Sequence, residues 1–400
     1  MHGTHIFEGA KSRLKRLASV RAAWTVYRSR QLKARYRGRR GHYEQAARDA
    51  GLSYRREDVV AAIRRRLGER GWRPSAKPAR QVHTFAFIPR LDWHAHLLPD
   101  LEALGPLSHF DYTRLGYGIE EFRGGGAPAH GRRDRMNRVA IDALREAHAR
   151  QPVDWIFVYA SGVEISRGMV EEMTAATGIP TVNMCLDDKQ SWQGQMGICP
   201  AFDISWTSAR VACEWYLAED ARPIYMPEGC DIATYRTYTE SAEMDVSFIG
   251  AAYGFRARLI ERLRDDGVAV RCFGPGWPAG PVRGEAAARV MSRSRINLGM
   301  GGIGYAEDLM NVKTRDFEVP AVGGGVYLTS FNPDLAQHFH VGREILCYRT
   351  YDDLLEQIRY YLGHPDEAQA IAVAGQRRAR AEHRWLDRYM ELLRILEVLR

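Results

Sequence analysis

From Gln81 onward the chain alternates short apolar runs with amphipathic stretches. Val82–Pro89, Val153–Ala160 and Thr181–Leu186 read as strands, with Asp203–Ser208 and Pro223–Pro227 as shorter ones. Between them His94–Leu104, Arg133–Arg150 and Ser166–Thr177 carry helical spacing. The alternation restarts at Asp245. Val246–Ile249, Val268–Phe273, Ile296–Leu298, Val326–Thr329 and Ile345–Tyr348 read as strands. Phe255–Asp265, Ala286–Ser294, Phe317–Val322 and Tyr351–Leu362 read as helices, and Pro365–Arg400 as one or two more. Runs that are apolar on both faces suit a parallel sheet covered by helices. The pattern predicts an α/β chain of two successive parallel-sheet halves, joined near Tyr235–Glu243.

The first 75 residues differ. Ala10–Arg40 places Leu14, Leu17, Val20, Trp24 and Tyr27 at helical spacing among arginines and lysines, with Gly38 and Gly41 as interruptions. A second helix is expected over Arg56–Arg70, with Val59, Val60, Ile63 and Leu67 on one face, before a linker marked by Pro74 and Pro78. Residues 1–80 hold 22 Lys+Arg against 6 Asp+Glu, or +16; the whole chain is +8, so the remainder is −8. The basic character belongs to the extension and not to the enzyme-like body.

Composition narrows the class. An apolar fraction of 45% and a charged fraction of 26% over 400 residues fit a soluble globular chain of two domains plus an extension. No apolar run approaches the ~20 residues that span a bilayer, and Leu17–Tyr27 is broken by Arg21 and Arg28. The six cysteines show no C-x-x-C pair or metal-ligand rhythm, as expected of reduced thiols in the cytoplasm. No H-E-x-x-H, G-x-S-x-G, Walker or D-x-D sequence occurs, so a metal site is not expected.

Several segments can carry chemistry. Lys313–Thr329, KTRDFEVPAVGGGVYLT, places Glu318 at a helix start beside Lys313 and Arg315, ahead of Gly323 and Gly324. A carboxylate there can accept ribose hydroxyls, the cations can meet phosphate, and the glycines allow close backbone approach. The plainer alternative is a pair of acids, Asp316 and Glu318, complementing a helix dipole. Phe248–Arg256 runs from a strand through Gly250, Tyr253 and Gly254 into a helix, a form that gathers backbone N–H groups for an anion with Arg256 adding charge; an ordinary turn is the alternative. Cys272–Trp277 can hold a base or shape a cleft, and the glycine-dense Asn297–Gly304 can form a loop over phosphates. In the first half, His94 or His96 can accept a proton, and Asp187 or Asp188, at a strand's carboxyl end, can serve as a catalytic base or simply cap the next helix. Glu228-Gly-Cys-Asp231 ends that half as a hinge or cleft wall.

The order of short motifs resembles the two-domain glycosyltransferases, and more narrowly the CgeB-like (spore-maturation-protein-like) ones. It rests on Ser247-Phe-Ile-Gly250 with Arg256, Arg315-x-Phe-Glu318-x-Pro-Ala-x-Gly-Gly324, Gly342-Arg-Glu344-Ile with Tyr348, and Tyr361-Leu-x-His364-Pro365 through His383-Arg384-Trp385. The resemblance implies a GT-B fold of two Rossmann-like parallel-sheet domains facing a cleft. It places a nucleotide-sugar donor in the second domain and the acceptor in the first. Glu318 would hold the ribose, with Lys313, Arg315 and Arg256 at the diphosphate. Retaining relatives carry a further acid eight positions before that glutamate, where this chain has Met310, which leaves the stereochemical outcome open.

The expected division is a basic helical extension over 1–75, an acceptor domain over 76–238, a donor domain over 239–375, and a terminal helix over 376–400 crossing back to the first domain. The expected activity is metal-independent transfer of a sugar, hexosyl or related, from a nucleotide-diphosphate sugar to a hydroxyl of a glycan, lipid-linked or protein acceptor, with no cofactor besides the donor. The alternative is a non-catalytic GT-B-like protein that binds glycans or partners in surface-layer assembly. The setting is cytoplasmic, with peripheral attachment to an anionic membrane open to residues 1–75. The acidic body and the lack of zinc-finger, RRM or KH sequence speak against nucleic acid.

Overall fold

The computed structural model describes residues 18–89, 96–123, 127–239 and 242–400. It resolves into two units, each built on one parallel sheet. One holds residues up to Arg40, Tyr235–Asn311 and Val319–Arg378; the other holds Gly41–Thr234, Val312–Glu318 and Ala379–Arg400.

The second of these contains six strands: β1 (Thr84–Phe87), β2 (Leu107–Phe110), β3 (Trp155–Val158), β4 (Thr181–Cys185), β5 (Ile204–Thr207) and β6 (Pro223–Tyr225). Their order is β2-β1-β3-β4-β5-β6, all parallel. Successive side chains alternate between two cores. Trp155, Phe157 and Trp206 join Val59, Ile63 and Leu67 of the Arg56–Glu69 helix and Trp385, Tyr389, Leu392 and Leu393 of the Trp385–Ile395 helix. Phe85, Phe87, Ile156 and Val158 join Met136, Ile141 and Leu144 of the Ala127–Arg150 helix on the other face. Each such side chain contributes ~1.5–3 kcal/mol on burial. Ser166 caps the Arg167–Thr177 helix by accepting from the Met169 amide, and Gly178 ends it in the left-handed region.

The other unit contains β7 (Met244–Ile249), β8 (Val270–Phe273), β9 (Ser294–Leu298), β12 (Val326–Ser330) and β13 (Leu346–Tyr348), in the order β13-β12-β9-β7-β8 and all parallel. The glycine-dense stretch after β9 is not an open loop. It folds into an antiparallel hairpin of β10 (Gly302–Ile303) and β11 (Ala306–Met310).

The expected break in the first helix at Gly38 and Gly41 does not occur, for Ala18–Asp49 is continuous. Both glycines have open space around them, and each costs only ~1 kcal/mol in an exposed helix. Tertiary contacts outweigh that. Leu32 and Tyr36 pack on Ile303, Ala306 and Leu309. Tyr43 packs on Trp192 and Trp215 and donates to Glu219. The extension therefore forms no unit of its own: residues up to Arg40 group with the five-stranded sheet, and residues from Gly41 with the six-stranded one. No described helix is long and apolar enough to cross a membrane.

Candidate functional site

In open parallel sheets, ligands collect outside the carboxyl ends of the strands, where the strand order reverses. In the five-stranded sheet that point lies between β7 and β9. The turn after β7 is held in place there. Trp277 Nε1 donates to the Gly250 carbonyl at 2.7 Å, and the Gly250 amide donates to Phe273 O at 2.7 Å. Trp277 thus shapes the Gly250 turn. Gly254 has φ +62 and starts the Phe255–Asp265 helix, which an L side chain at that position would strain.

Arg256 follows at once and is buried. Its guanidinium lies 4.7 Å from the Tyr253 ring centroid, and Nη2 reaches Gly302 O at 3.5 Å. Tyr348, at the end of β13, donates to Gly299 O at 3.2 Å. Burial and nearby Glu307 push its hydroxyl pKa up, while Ser330 and Arg256 oppose that. Gly250, Tyr253 and Arg256 therefore come together, as the sequence led one to expect of neighbours in one turn. Beside them opens a cavity of about 590 Å³ at the carboxyl edge, bounded by Phe255, Ser330, Tyr348 and the β10–β11 hairpin.

Gly323 and Gly324 lie elsewhere, before the amino end of β12. A Cβ on Gly324 would stand 2.3 Å from Ser292 Cα, and one on Gly323 would stand 2.8 Å from Gln376. The close approach these glycines permit is to protein.

A second cluster forms at the carboxyl edge of the six-stranded sheet. Asp187 follows β4 and is exposed. Its neighbour Asp188 is fully buried, and its carboxylate accepts from the Thr207 hydroxyl and from Tyr216 at 2.8 Å. Burial raises Asp188 to about 6, against those hydrogen bonds. Glu228 follows β6 and is 4% exposed. It accepts a hydrogen bond from the Thr314 hydroxyl. Burial pushes its carboxyl to about 8; the Thr314 bond and the Lys313 charge pull down, and the Asp187 and Asp316 charges push up.

Lys313 and Thr314 belong to the Val312–Glu318 segment of the same unit. Its turn is closed by the Lys313 amide donating to Asp316 Oδ2 at 2.8 Å. Glu318 is buried rather than solvent-facing, close enough to Cys230 for its charge to raise that thiol further above the level set by burial. Arg315, the first residue of the Arg315–Val322 helix that carries Glu318, is half-buried. The structure thus brings Asp187, Lys313 and Glu228 together. His94 lies outside the described residues; His96 places Nδ1 at 3.9 Å from Asp231 Oδ2. Glu228 is the group whose chemistry the sequence did not disclose. Its position just after a strand was the available signal, but its near-complete burial was not.

Residues 256–394 match the family described as glycosyl transferase-like. No curated protein sequence matches the chain. Among solved structures, sucrose-phosphate synthase from Thermosynechococcus elongatus superposes with a TM-score of 0.55 at 11% identity, covering 79% of this chain and 99% of that one. Anabaena HepE in complex with UDP gives 0.54 at 10% identity, covering 80% and 100%. Its complex with UDP-glucose gives 0.53 at 9%, covering 78% and 100%. The two parallel-sheet units are those of the GT-B glycosyltransferase fold, and the stretch from Arg256 to Arg394 carries glycosyl transferase-like sequence.

Proposed function

We propose that the chain transfers a sugar from a nucleotide-diphosphate sugar to a hydroxyl acceptor. One observation carries this. The glycosyl transferase-like match begins at Arg256, in the first turn of the helix after β7, where the five-stranded sheet's strand order reverses and a cavity with charged residues in its lining opens alongside. The UDP and UDP-glucose held by HepE support a nucleotide-sugar donor. Departure of the diphosphate builds negative charge, which fixed cations and backbone N–H groups can stabilise without reorganising. Arg256 is assigned that work beside the cavity, with no metal ion required; the roles expected of Lys313 and Arg315 at phosphate and of Glu318 at the ribose hydroxyls are separate proposals, each tested by its own variant. The narrower CgeB-like affiliation belongs to the same proposal.

Glu318→Ala should weaken nucleotide binding at least tenfold, the loss expected for charge-assisted hydrogen bonds of ~1.5–3 kcal/mol. Titration calorimetry on a variant with retained secondary structure measures this, and unchanged affinity removes Glu318 from the site.

For the acceptor we assign Asp187 as proton acceptor, because it is the exposed member of its pair and sits at the sheet's carboxyl edge. Asp187→Asn should lower turnover about a hundredfold, as loss of a general base does, with donor affinity retained. Full turnover in that variant would move the base elsewhere.

A further inference from the structure

We infer that the first helix, Ala18–Asp49, supplies one wall of the donor pocket through Arg30, so that the basic extension takes part in binding a nucleoside diphosphate. This rests on the donor reading above and adds an element that neither the sheet nor the glycosyl transferase-like stretch contains.

The cavity beside β12 and β13 is lined on one side by sheet-edge residues and on the other by Thr25, Ser29, Arg30 and Lys33 of the helix. Its volume of about 590 Å³ falls in the range that takes a nucleotide-sized ligand. The lining has four cations, Arg30, Lys33, Arg258 and Arg349, and two carboxylates, Glu307 and Asp308. Lys33 and Asp308 pair with each other at 2.7 Å. Three guanidiniums then face one carboxylate. Among the described residues, no ion pair engages those three. Arg349 is stacked 3.5 Å over the Phe331 ring, which holds its fork in place.

Phe255 and Tyr305 add flat apolar surface to the same space. Surplus guanidinium charge beside aromatic faces suits a ligand that joins a phosphate-borne dianion to a ring, and guanidinium forks bind phosphate in two-pronged fashion. The helix is not a loose strap at this place. Leu32 and Tyr36 are packed on the hairpin, Lys33 is tied to Asp308, and Arg28 lies 5.8 Å from the Tyr305 centroid. Arg30 is therefore presented from a fixed wall.

The test is titration calorimetry of the full chain with UDP, ADP, GDP and dTDP, comparing wild type with Arg30→Ala, Arg30→Glu and Arg35→Ala. Arg35 is an exposed arginine of the same helix outside the cavity lining, and so controls for bulk charge. The expected result is about a tenfold loss of affinity in Arg30→Ala, a larger loss in Arg30→Glu, and none in Arg35→Ala, with melting temperatures unchanged throughout. If wild type binds a nucleoside diphosphate and both Arg30 variants bind it equally well, the helix wall is overturned while the donor reading stands. An equal loss in Arg35→Ala also overturns it, since bulk charge would then account for the effect. If wild type binds none of the four, the donor reading fails and this inference fails with it.

Discussion

Asp203→Ala should destabilise the six-stranded unit by about 3–4 kcal/mol, the largest single effect expected in this chain. Asp203 is fully buried at the start of β5. Its carboxylate accepts from Arg66 Nε at 3.1 Å, from Arg70 Nη1 and Nη2 at 2.9 and 2.8 Å, and from the Thr181 amide at 2.9 Å. Breaking a buried ion pair by removing one partner costs ~3–5 kcal/mol, because the remaining charges keep their desolvation penalty. The partial exposure of Arg66 (37%) and Arg70 (20%) places the expectation toward the lower part of that range. Arg64→Ala removes a pair with Glu397 in which both side chains are about half exposed, and should cost under ~1 kcal/mol. Urea midpoints of the two variants make the comparison, and a similar shift in both would refute the central place given to Asp203.

The same contacts bear on the basic extension. Arg66 lies in the Arg56–Glu69 helix and Arg70 directly after it, and that helix buries Val59, Ile63 and Leu67 in the core of the six-stranded unit. Removing residues 1–75 would uncover that core. Membrane binding by the extension is better tested with substitutions at the exposed Trp24 and Tyr27.

Glu228→Gln should flatten the dependence of stability on pH. Burial raises the folded-state carboxyl from 4.5 to about 8, so the folded protein holds a proton that the unfolded chain releases. The stabilisation is complete below the unfolded value and is lost as pH rises through about 8. Glutamine keeps the shape and the acceptor for Thr314 and has no proton to lose. The variant should therefore melt higher than wild type at pH 9 and alike at pH 5. Asp188 and Asp100, each raised to about 6 by burial, leave a weaker decline at lower pH in both proteins. Parallel melting curves for wild type and variant from pH 5 to 9 would show that Glu228 does not titrate as assigned.

The strands were legible because most are covered on both faces, so each reads as a short run rich in apolar residues and bounded by turn residues. Val270–Phe273, Thr181–Cys185 and Pro223–Tyr225 lie inside the runs read for them. Leu107–Phe110 escaped notice: it is an edge strand with three half-buried positions, and its sequence lacks a long apolar run. The β10–β11 hairpin escaped for another reason. Glycines permit both loops and hairpins, and what decides between them is the apolar surface of Leu32 and Tyr36, some 270 residues away in the chain.

At the sites, local chemistry and spatial partners divide in the same way. Gly250, Tyr253 and Arg256 belong to one strand-to-helix turn, and the positive φ of Gly254 is a property that glycine alone supplies cheaply. Asp187 and Asp188 look alike in sequence, and only their surroundings separate them. One faces solvent; the other is enclosed by Thr207 and Tyr216.

By itself the sequence determined the α/β class, the two parallel sheets and the concentration of positive charge before residue 80, since each follows from composition or from periodicity within a few residues. Only the tertiary structure decided that Gly323 and Gly324 meet Ser292 and Gln376, that Glu228 is enclosed beside Thr314, and that Arg30 lines a cavity with Arg258 and Arg349. Burial, desolvation and charge pairing arise between residues far apart in the chain, so no local pattern encodes them.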